Sequence, residues 1–265
     1  MNVVILIPAR YASSRYPGKP LVELKGAGGM TKPLIHRSVE AARRVPGVSG
    51  VFVVTDDDRI AEACAPARVG VIMTSPECRN GTERCAEALS ELHEPDLVIN
   101  FQGDALLTPP SFVEALIARM ANDPEALVAT PAMRLRHEEV DALRGEEAAG
   151  RVGGTTVVTN SRGHALYFSK WLIPHLPKWA TEAGPTPMKL HVGVYAYRPQ
   201  ALELYRDTPQ SELEVLEGLE QLRFMDAGVP VAVVEVGTPP FALRELNNPE
   251  DVAPIEEALA AAGLE

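Results

Sequence analysis

Apolar runs rich in β-branched residues alternate with helical patterns through the first half of the chain. Strands are predicted at residues 3–7, 50–55, 69–73, 97–101 and 127–131, and helices at 33–45, 58–65 and 81–93. Strands that alternate with helices in this way are typical of a parallel sheet covered by helices. The sequence therefore predicts an α/β fold with a mostly parallel central sheet.

The second half of the chain has a different pattern. Residues 155–159, 164–169 and 190–198 are predicted strands without intervening helices, and a proline-rich stretch at 173–188 links them. This order indicates an antiparallel extension of the sheet. Ser-x-x-Glu capping boxes predict helices at 111–120 and 211–227, and a strand at 231–236 precedes a helix start at Asn248.

Composition limits the classes of partner. The chain has 265 residues, the size of one α/β domain with a modest extension, and 25 basic residues against 36 acidic ones give a net charge of −11. Such a charge disfavours nucleic acid and anionic membranes as partners. Three cysteines without metal-binding spacing and no segment of transmembrane length indicate free thiols and a cytoplasmic protein.

The loop after the first predicted strand is cationic. The run PARYASSRYPGKPL at residues 8–21 contains Arg10, Arg15 and Lys19 and no acid. Guanidinium groups, an ammonium and free backbone N–H groups are what a nucleoside triphosphate requires. A basic run can also be a solvated surface loop.

Polar residues follow the other predicted strands of the parallel sheet. Ligands of such sheets bind beyond the carboxyl ends of the strands, so Ser75, Gln102 and Asp104 are expected at one edge. Asp104 is the candidate Mg²⁺ ligand, and its alternative role is an exposed turn acid. Gln102 would bind a base or sugar edge, or only close the strand end. Asp56, after the second strand, is expected to cap a helix.

Seven segments together resemble the 3-deoxy-manno-octulosonate (Kdo) cytidylyltransferases, and the likeness runs nearly end to end. They are IPARYASSRYPGKPL (7–21), NGTER (80–84), QGD (102–104), GHALYFSKWLIP (163–174), HVGVYAYR (191–198), LEGLEQLR (216–223) and NPEDV (248–252). The resemblance implies a GT-A-like nucleotidyltransferase fold, transfer of a cytidylyl group from CTP to an acidic sugar such as Kdo, a Mg²⁺ cofactor and a homodimer. It also implies one domain at 1–265, with a nucleotide-binding half at 1–135, a sugar-acid-binding and dimerisation extension at 136–228 and a completing strand and helix at 229–265.

The resemblance also assigns roles to individual residues. Nucleotide binding falls to Pro8, Ala9, Arg10, Arg15, Lys19, Ser75, Gly81 and Gln102, and catalysis to Arg10, Lys19 and Asp104. Sugar-acid binding falls to Gln102, His191, Tyr195, Glu214 and Gln221, and metal binding to Asp104 and Asn247. Tyr195 could instead be a core residue, and Glu214 only the partner in a capping box.

Five residues depart from the family pattern. Ala105 and Leu106 replace Glu-Pro after QGD, Asn247 replaces a metal-binding aspartate, Thr156 replaces a lysine and Val215 replaces a glutamine. An amide in place of a carboxylate keeps an oxygen ligand but removes a charge, so weaker metal binding is expected. Three alternatives stay open: an acceptor such as 8-amino-Kdo or another 2-keto-3-deoxy sugar acid, UTP or another triphosphate as donor, and a non-catalytic nucleotide-binding relative.

Overall fold

A computed structural model describes residues 1–13, 15–177 and 186–265. The chain forms two compact units. The first comprises Met1–Glu114, Ala196–Arg206 and Pro239–Glu265, and the second comprises Ala115–Tyr195 and Asp207–Thr238. The predicted division at 135 and 228 stays a prediction.

The first unit is built on a parallel sheet. Its strands in chain order are β1 (Val3–Ala9), β2 (Glu23–Lys25), β3 (Thr31–Pro33), β4 (Gly50–Thr55), β5 (Gly70–Met73) and β6 (Leu97–Phe101). Four of them form a parallel array in the order β5-β4-β1-β6, while β2 and β3 form a small antiparallel hairpin that was not predicted. Strand β1 is almost fully buried, as a central strand of a parallel sheet must be.

Helices cross over between these strands, as the sequence predicts. They are α1 (Leu34–Arg43), α2 (Asp58–Cys64) and α3 (Gly81–Ala88). Helix α3 is shorter than the predicted 81–93, because one tighter turn at Leu89–Glu91 follows it. The next helix, α4 (Pro110–Asn122), begins at a proline, so the predicted cap at Ser111 is wrong. The fixed φ of proline suits the first helical position, and Ser111 lies inside the first turn.

The second unit carries the remaining sheet. Its elements include β7 (Val128–Arg134), α5 (His137–Ala148), β8 (Thr156–Thr159), β9 (Ala165–Ser169) and β10 (Lys189–His191). After β11 (Val194–Tyr197) and α6 (Pro199–Asp207) come α7 (Glu212–Glu217), α8 (Leu222–Asp226) and β12 (Val231–Val236), and the chain's last helix is α9 (Val252–Ala261) of the first unit. Strand β11 and helices α4 and α6 contain residues of both units.

The strand order in the second unit is β12-β7-β10-β8-β9. Strands β12 and β7 are parallel, and the other pairs are antiparallel. The antiparallel extension is therefore confirmed, together with the α/β class. The predicted strand at 190–198 is two strands, and part of the proline-rich stretch, residues 178–185, lies outside the described residues.

The predicted helix at 211–227 is also two helices. Ser211 caps α7 as predicted, since its hydroxyl accepts a hydrogen bond from the Glu214 backbone N–H. Gly218 then adopts φ 60°, a left-handed conformation that ends α7 before α8 begins. The chain therefore turns at the glycine within a segment whose apolar pattern is helical on both sides.

A buried apolar cluster ties the C-terminal segment of the first unit to its hairpin and to α1. Leu24, Leu34, Leu106, Leu246 and Leu259 are all at most 1% exposed within it. Leu106, one of the departures from the family pattern, thus has a packing role. The cluster fixes the residues next to it in sequence, and these include Asp104 and the segment at 245–247.

Candidate active site

The loop after β1 folds back on itself at Tyr11. The Tyr11 carbonyl accepts hydrogen bonds from the backbone N–H groups of Ser13 (2.9 Å) and Gly18 (2.8 Å). Gly18 has φ 74°, and a Cβ there would lie 3.2 Å from the Tyr11 ring. A glycine is therefore required for the turn that delivers Lys19.

Lys19 and Asp104 form the centre of the candidate site. The Lys19 Nζ lies 2.5 Å from Asp104 Oδ2, and the two side chains are 20% and 14% exposed. Lys19 follows β1 and Asp104 follows the neighbouring parallel strand β6, so both leave the sheet at the same edge. This ion pair brings the loops after β1 and β6 together, as the sequence predicts.

The two arginines of the loop are exposed and contact other segments of the first unit. Arg10 donates from Nη1 to the Arg79 carbonyl at 3.3 Å. Arg15 donates from Nη2 to Asn247 Oδ1 at 2.8 Å. Arg15 and Asn247 are far apart in sequence, and this contact brings the predicted metal ligand beside the cationic loop.

The start of α3 forms a close-packed floor beside β1 and β6. A Cβ on Gly81 would lie 3.1 Å from Gln102 Nε2, 3.2 Å from Pro8 Cγ and 3.3 Å from Asn100 Nδ2. Three residues predicted to bind nucleotide, Pro8, Gly81 and Gln102, are therefore neighbours. A group larger than hydrogen at position 81 would intrude on the space that they line.

Asn100 is a member of this floor that the sequence analysis missed. Its side chain is fully buried, and neither its Nδ2 nor its Oδ1 has a hydrogen-bond partner among the described residues. An unsatisfied buried amide is costly, so it indicates a polar group of a ligand or water next to it. The available signal was an asparagine inside the otherwise apolar run LVINF.

Gly103 shows how closely the loops after β1 and β6 approach. A Cβ on Gly103 would lie 2.6 Å from the Pro8 carbonyl oxygen. The Gly103 carbonyl itself accepts a hydrogen bond from the buried Ser38 hydroxyl at 2.7 Å. Ala9, the last residue of β1, is buried. The contact between the loops after β1 and β6 is therefore made by main-chain atoms of Pro8 and Gly103.

Side chains around the start of α3 hold the helix end in place. Asn80 caps it, with Oδ1 accepting from the Glu83 N–H at 2.8 Å and Nδ2 donating to the Tyr205 hydroxyl at 2.9 Å. The Ser75 backbone N–H donates to Glu87 Oε1 at 2.6 Å. Ser75 thus lies against α3, and its predicted nucleotide contact stays a prediction.

Asp56 does not cap a helix, contrary to expectation. Asp57 caps α2 by accepting from the Arg59 N–H, and Asp56 instead pairs with the buried Arg84 at 3.2 Å. The pairing explains the difference, because a buried guanidinium requires a carboxylate near it.

Glu245 is the second residue of this site that the sequence analysis missed. Its carboxyl interacts with the charges of Asp104, Lys19 and Arg15 and shares a hydrogen bond with the Asn247 side chain. The residue keeps contact with solvent, yet protein atoms crowded around the carboxyl desolvate it. This desolvation and the charge of Asp104 raise the pKa of Glu245 to about 7. Two carboxyls, two cations and an amide therefore meet in one cluster.

The predicted sugar-acid residues lie in the second unit, apart from Gln102. His191 shares a hydrogen bond with the Thr130 hydroxyl at 2.9 Å, and desolvation lowers the pKa of His191 to about 3. The Tyr195 hydroxyl donates to Gln221 Oε1 at 3.0 Å, and both side chains are buried. The buried Gln221 Nε2 has no partner in the part of the chain that the structure describes. These three are neutral groups inside a packed region.

Glu214 has a structural partner. Its two carboxylate oxygens accept hydrogen bonds from Nε and Nη2 of Arg223, each at 2.7 Å, and the side chains are 3% and 1% exposed. Such a buried bidentate pair uses most of the hydrogen-bonding capacity of the Glu214 carboxylate. A direct contact with a sugar acid stays a prediction that this geometry does not favour.

The second unit also has a cavity of about 420 Å³. Its lining includes Arg151, Tyr167, Lys170, Trp171, Leu216 and Glu217. Glu217 accepts hydrogen bonds from the Tyr167 hydroxyl, the Ser169 hydroxyl and the Lys170 backbone N–H at 2.9–3.3 Å. The cavity thus has a fixed carboxylate and two cationic residues beside apolar side chains, and the sequence analysis had named none of them as site residues.

A family model described as cytidylyltransferase matches residues 4–232 of the chain. The chain belongs to the cytidylyltransferase family. The 3-deoxy-manno-octulosonate cytidylyltransferase of Maricaulis maris is 41% identical over 99% of both chains. The 8-amino-3,8-dideoxy-manno-octulosonate cytidylyltransferase of Shewanella baltica is 36% identical over 98% of this chain and 99% of that protein.

Solved structures agree with this assignment. A CMP:2-keto-3-deoxy-manno-octonic acid synthetase complexed with CTP matches with a TM-score of 0.83 and 36% identity over 99% of this chain and all of that chain. A cytidylyltransferase from Leptospira borgpetersenii has a TM-score of 0.62 at 15% identity over 98% of this chain and 87% of its own, a likeness of fold alone. The predicted family, fold and enzyme class are confirmed: this family member is a nucleotidyltransferase.

The residues of the site suit a magnesium ion. Asp104 and Glu245 offer carboxylate oxygens and Asn247 an amide oxygen, the hard ligands that Mg²⁺ prefers. Within the described residues no group of three or more His, Cys, Asp or Glu side chains forms a complete metal site. An ion here would therefore need further oxygen ligands, such as those of phosphate.

Proposed function

We propose that this cytidylyltransferase transfers the cytidylyl group of CTP to a 3-deoxy-2-ulosonic acid such as Kdo and releases pyrophosphate. The observation that carries the proposal is the match over the whole chain, at 36% identity and a TM-score of 0.83, to the synthetase complexed with CTP. The ion pair of Lys19 and Asp104 at the edge of the parallel sheet supports it, because a cation and a carboxylate are suitably placed there for phosphates and a metal ion.

The reaction is an in-line displacement at the α-phosphorus of CTP. The anomeric hydroxyl oxygen of the acceptor bonds to the α-phosphorus, the bond from that phosphorus to the bridging oxygen breaks, and the hydroxyl proton passes to solvent. Arg10, Arg15 and Lys19 neutralise the charge that grows on the transferring and leaving phosphates. Gly81 and Gln102 leave room for the nucleotide on the floor of the site.

Asp104 and Asn247 would hold the magnesium ion in this proposal. When bound, Mg²⁺ supplies positive charge to the phosphates and orients them. Asn247 is fixed beside the loop by its contact with Arg15, and Asp104 by its contact with Lys19. The chain's own groups therefore orient these two side chains.

A second acceptor is supported by a specific observation. The Shewanella baltica relatives, 36% identical, are named for 8-amino-3,8-dideoxy-manno-octulosonate. Thr156, where the family pattern has a lysine, is buried and donates from its hydroxyl to the Trp171 carbonyl at 2.7 Å. The Thr156 side chain holds the main chain at Trp171 and, unlike the lysine, carries no charge that could bind an acceptor. This difference supports an acceptor other than Kdo.

Pyrophosphate release tests the proposal. The protein is incubated with CTP, Mg²⁺ and either Kdo or 8-amino-Kdo, and UTP and ATP replace CTP in parallel samples. We expect release with CTP and one of the two acids. Binding of CTP without release for any acceptor would instead identify a non-catalytic relative.

We also propose a cytoplasmic homodimer. Trp171, Val215 and Leu216 in the second unit are 60–72% exposed, an unusual amount for large apolar side chains, which supports burial by a second copy. The three cysteines are buried and form no disulfide among the described residues, which supports a reducing compartment. No helix in the described ranges is long and apolar enough to span a membrane. Sedimentation of the protein and of Leu216→Glu tests the dimer, which the substitution should dissociate; a monomeric wild type would reject it.

A further inference from the structure

Glu245 lies in the site without a role in the function proposed above. We propose that Glu245 is a ligand of the magnesium ion in this chain and that it supplies, beside Asp104, the second carboxylate that Asn247 lacks. The inference rests on the proposed function, which requires a divalent ion. It concerns a residue outside the seven segments that carry the family resemblance.

Asn247 alone is a weak metal ligand here. Its side-chain oxygen accepts a hydrogen bond from Arg15 at 2.8 Å, and its backbone N–H is held by Asp251 at 2.9 Å. The amide is neutral, and its oxygen already faces a guanidinium. An ion bound by Asp104 and Asn247 would therefore meet only one negative charge from the protein.

Glu245 adds that charge at the right place. Its carboxylate is hydrogen-bonded to the Asn247 side chain and interacts electrostatically with Asp104, Lys19 and Arg15. Lys19 in turn contacts Asp104 at 2.5 Å. Lys19 and Arg15 together balance the two carboxylates in the free site. The proposed function assigns both cations to the phosphates of CTP, so the two carboxylates then require a divalent cation.

The main chain holds Glu245 in this position. Leu246, the next residue, is fully buried in the apolar cluster that also contains Leu106. On the C-terminal side of Leu246, the Asp251 carboxylate accepts hydrogen bonds from the backbone N–H groups of Asn247 and Asn248 at 2.9 and 2.7 Å. Part of Glu245 is exposed, so its carboxyl lies near the surface of the first unit and not in the core. A ligand on an anchored segment loses little entropy when it binds.

Binding of Mn²⁺, followed by electron paramagnetic resonance with CTP present and no acceptor, tests the proposal without turnover. We expect Glu245→Gln to weaken Mn²⁺ binding about tenfold or more, since ligand charge sets affinity for hard cations. The matched control is Glu250→Gln, an exposed acid five residues along, which should leave the affinity within about twofold of wild type. Asn247→Asp should strengthen binding and should restore it in the Glu245→Gln protein.

Affinity for Mn²⁺ that is unchanged in Glu245→Gln would overturn the proposal. Binding of CTP in the presence of chelator shows whether each variant is folded. If Glu245→Gln does not fold, the Mn²⁺ affinity of Asn247→Asp, in the otherwise unchanged chain, is the deciding measurement. A gain in Mn²⁺ affinity there is expected, and no gain would overturn the proposal. Failure of the proposed function is separate, because it would appear as absent pyrophosphate release by a wild type that still requires Glu245 for Mn²⁺.

Discussion

The ammonium nitrogen of Lys19 lies 2.5 Å from Oδ2 of Asp104, and the two residues follow neighbouring parallel strands of one sheet. In the proposed function, the pair would keep a cation for phosphate and a carboxylate for a metal ion in place before either ligand binds. Groups that need no reorganisation during the reaction stabilise a transition state most effectively. The topology of the sheet thus positions the two residues to which the proposal assigns catalysis.

Replacement of Lys19 should affect turnover far more than stability. We expect Lys19→Ala to lower kcat about 10²- to 10³-fold, because one charged donor to the phosphates is lost. Lys32→Ala is the control, since Lys32 forms a comparable ion pair with Glu40 at 2.7 Å. Pyrophosphate release and thermal unfolding are measured for both. A Lys19→Ala enzyme within threefold of wild type would refute the assigned role.

A methyl group at position 81 should weaken CTP binding without weakening the fold. The added Cβ of Gly81→Ala would crowd Gln102 and Pro8 at 3.1–3.2 Å. We expect the KM for CTP to rise about tenfold, while alanine favours the first turn of α3. Gly145→Ala in α5, where a Cβ meets nothing within 4 Å, should raise stability and leave KM unchanged. An unchanged KM in Gly81→Ala would show that this floor does not contact nucleotide.

The parallel sheet was predictable because its strands carry a strong local signal. Residues 3–7 are apolar throughout and residues 97–101 are apolar except for Asn100, a pattern typical of strands that are buried on both faces. The rule that such strands present their carboxyl ends at one edge then brought Lys19 and Asp104 together. The local sequence pattern and the sheet topology were therefore sufficient to predict that these two residues of the candidate site lie together.

Glu245 was not predictable, because its role arises from contact and not from pattern. It is 141 positions from Asp104, and no repeat or capping motif marks it. The split at Gly218 was missed for a related reason: the residues on both sides keep helical periodicity, and only the backbone φ shows the break. Asn100 was missed because its significance depends on which partners its buried amide lacks.

The buried pair of Glu214 and Arg223 should stabilise the second unit. Glu214→Gln removes the charge that pairs with the guanidinium at 2.7 Å, and we expect a loss of about 3 kcal/mol in the free energy of unfolding. Glu212→Gln, an exposed acid in the same helical turn, is the control and should change it by less than about 0.5 kcal/mol. Urea denaturation measures both. Unchanged stability with a raised KM for the acceptor would favour the sugar-acid role that the family resemblance assigns to Glu214.

Protonation of His191 should make the fold sensitive to acid. Desolvation lowers the pKa of His191 from 6.5 to about 3, so the folded protein keeps the ring neutral where the unfolded chain takes up a proton. The contribution of the neutral ring to the free energy of unfolding is complete above pH 6.5 and is lost as the pH falls toward 3. By pH 5 the loss is at most about 2 kcal/mol. His191→Gln should lose stability less steeply than wild type between pH 7 and pH 5 in urea denaturation. The exposed His93→Gln should follow wild type, and an equally steep loss in His191→Gln would mean that other groups set the acid limit.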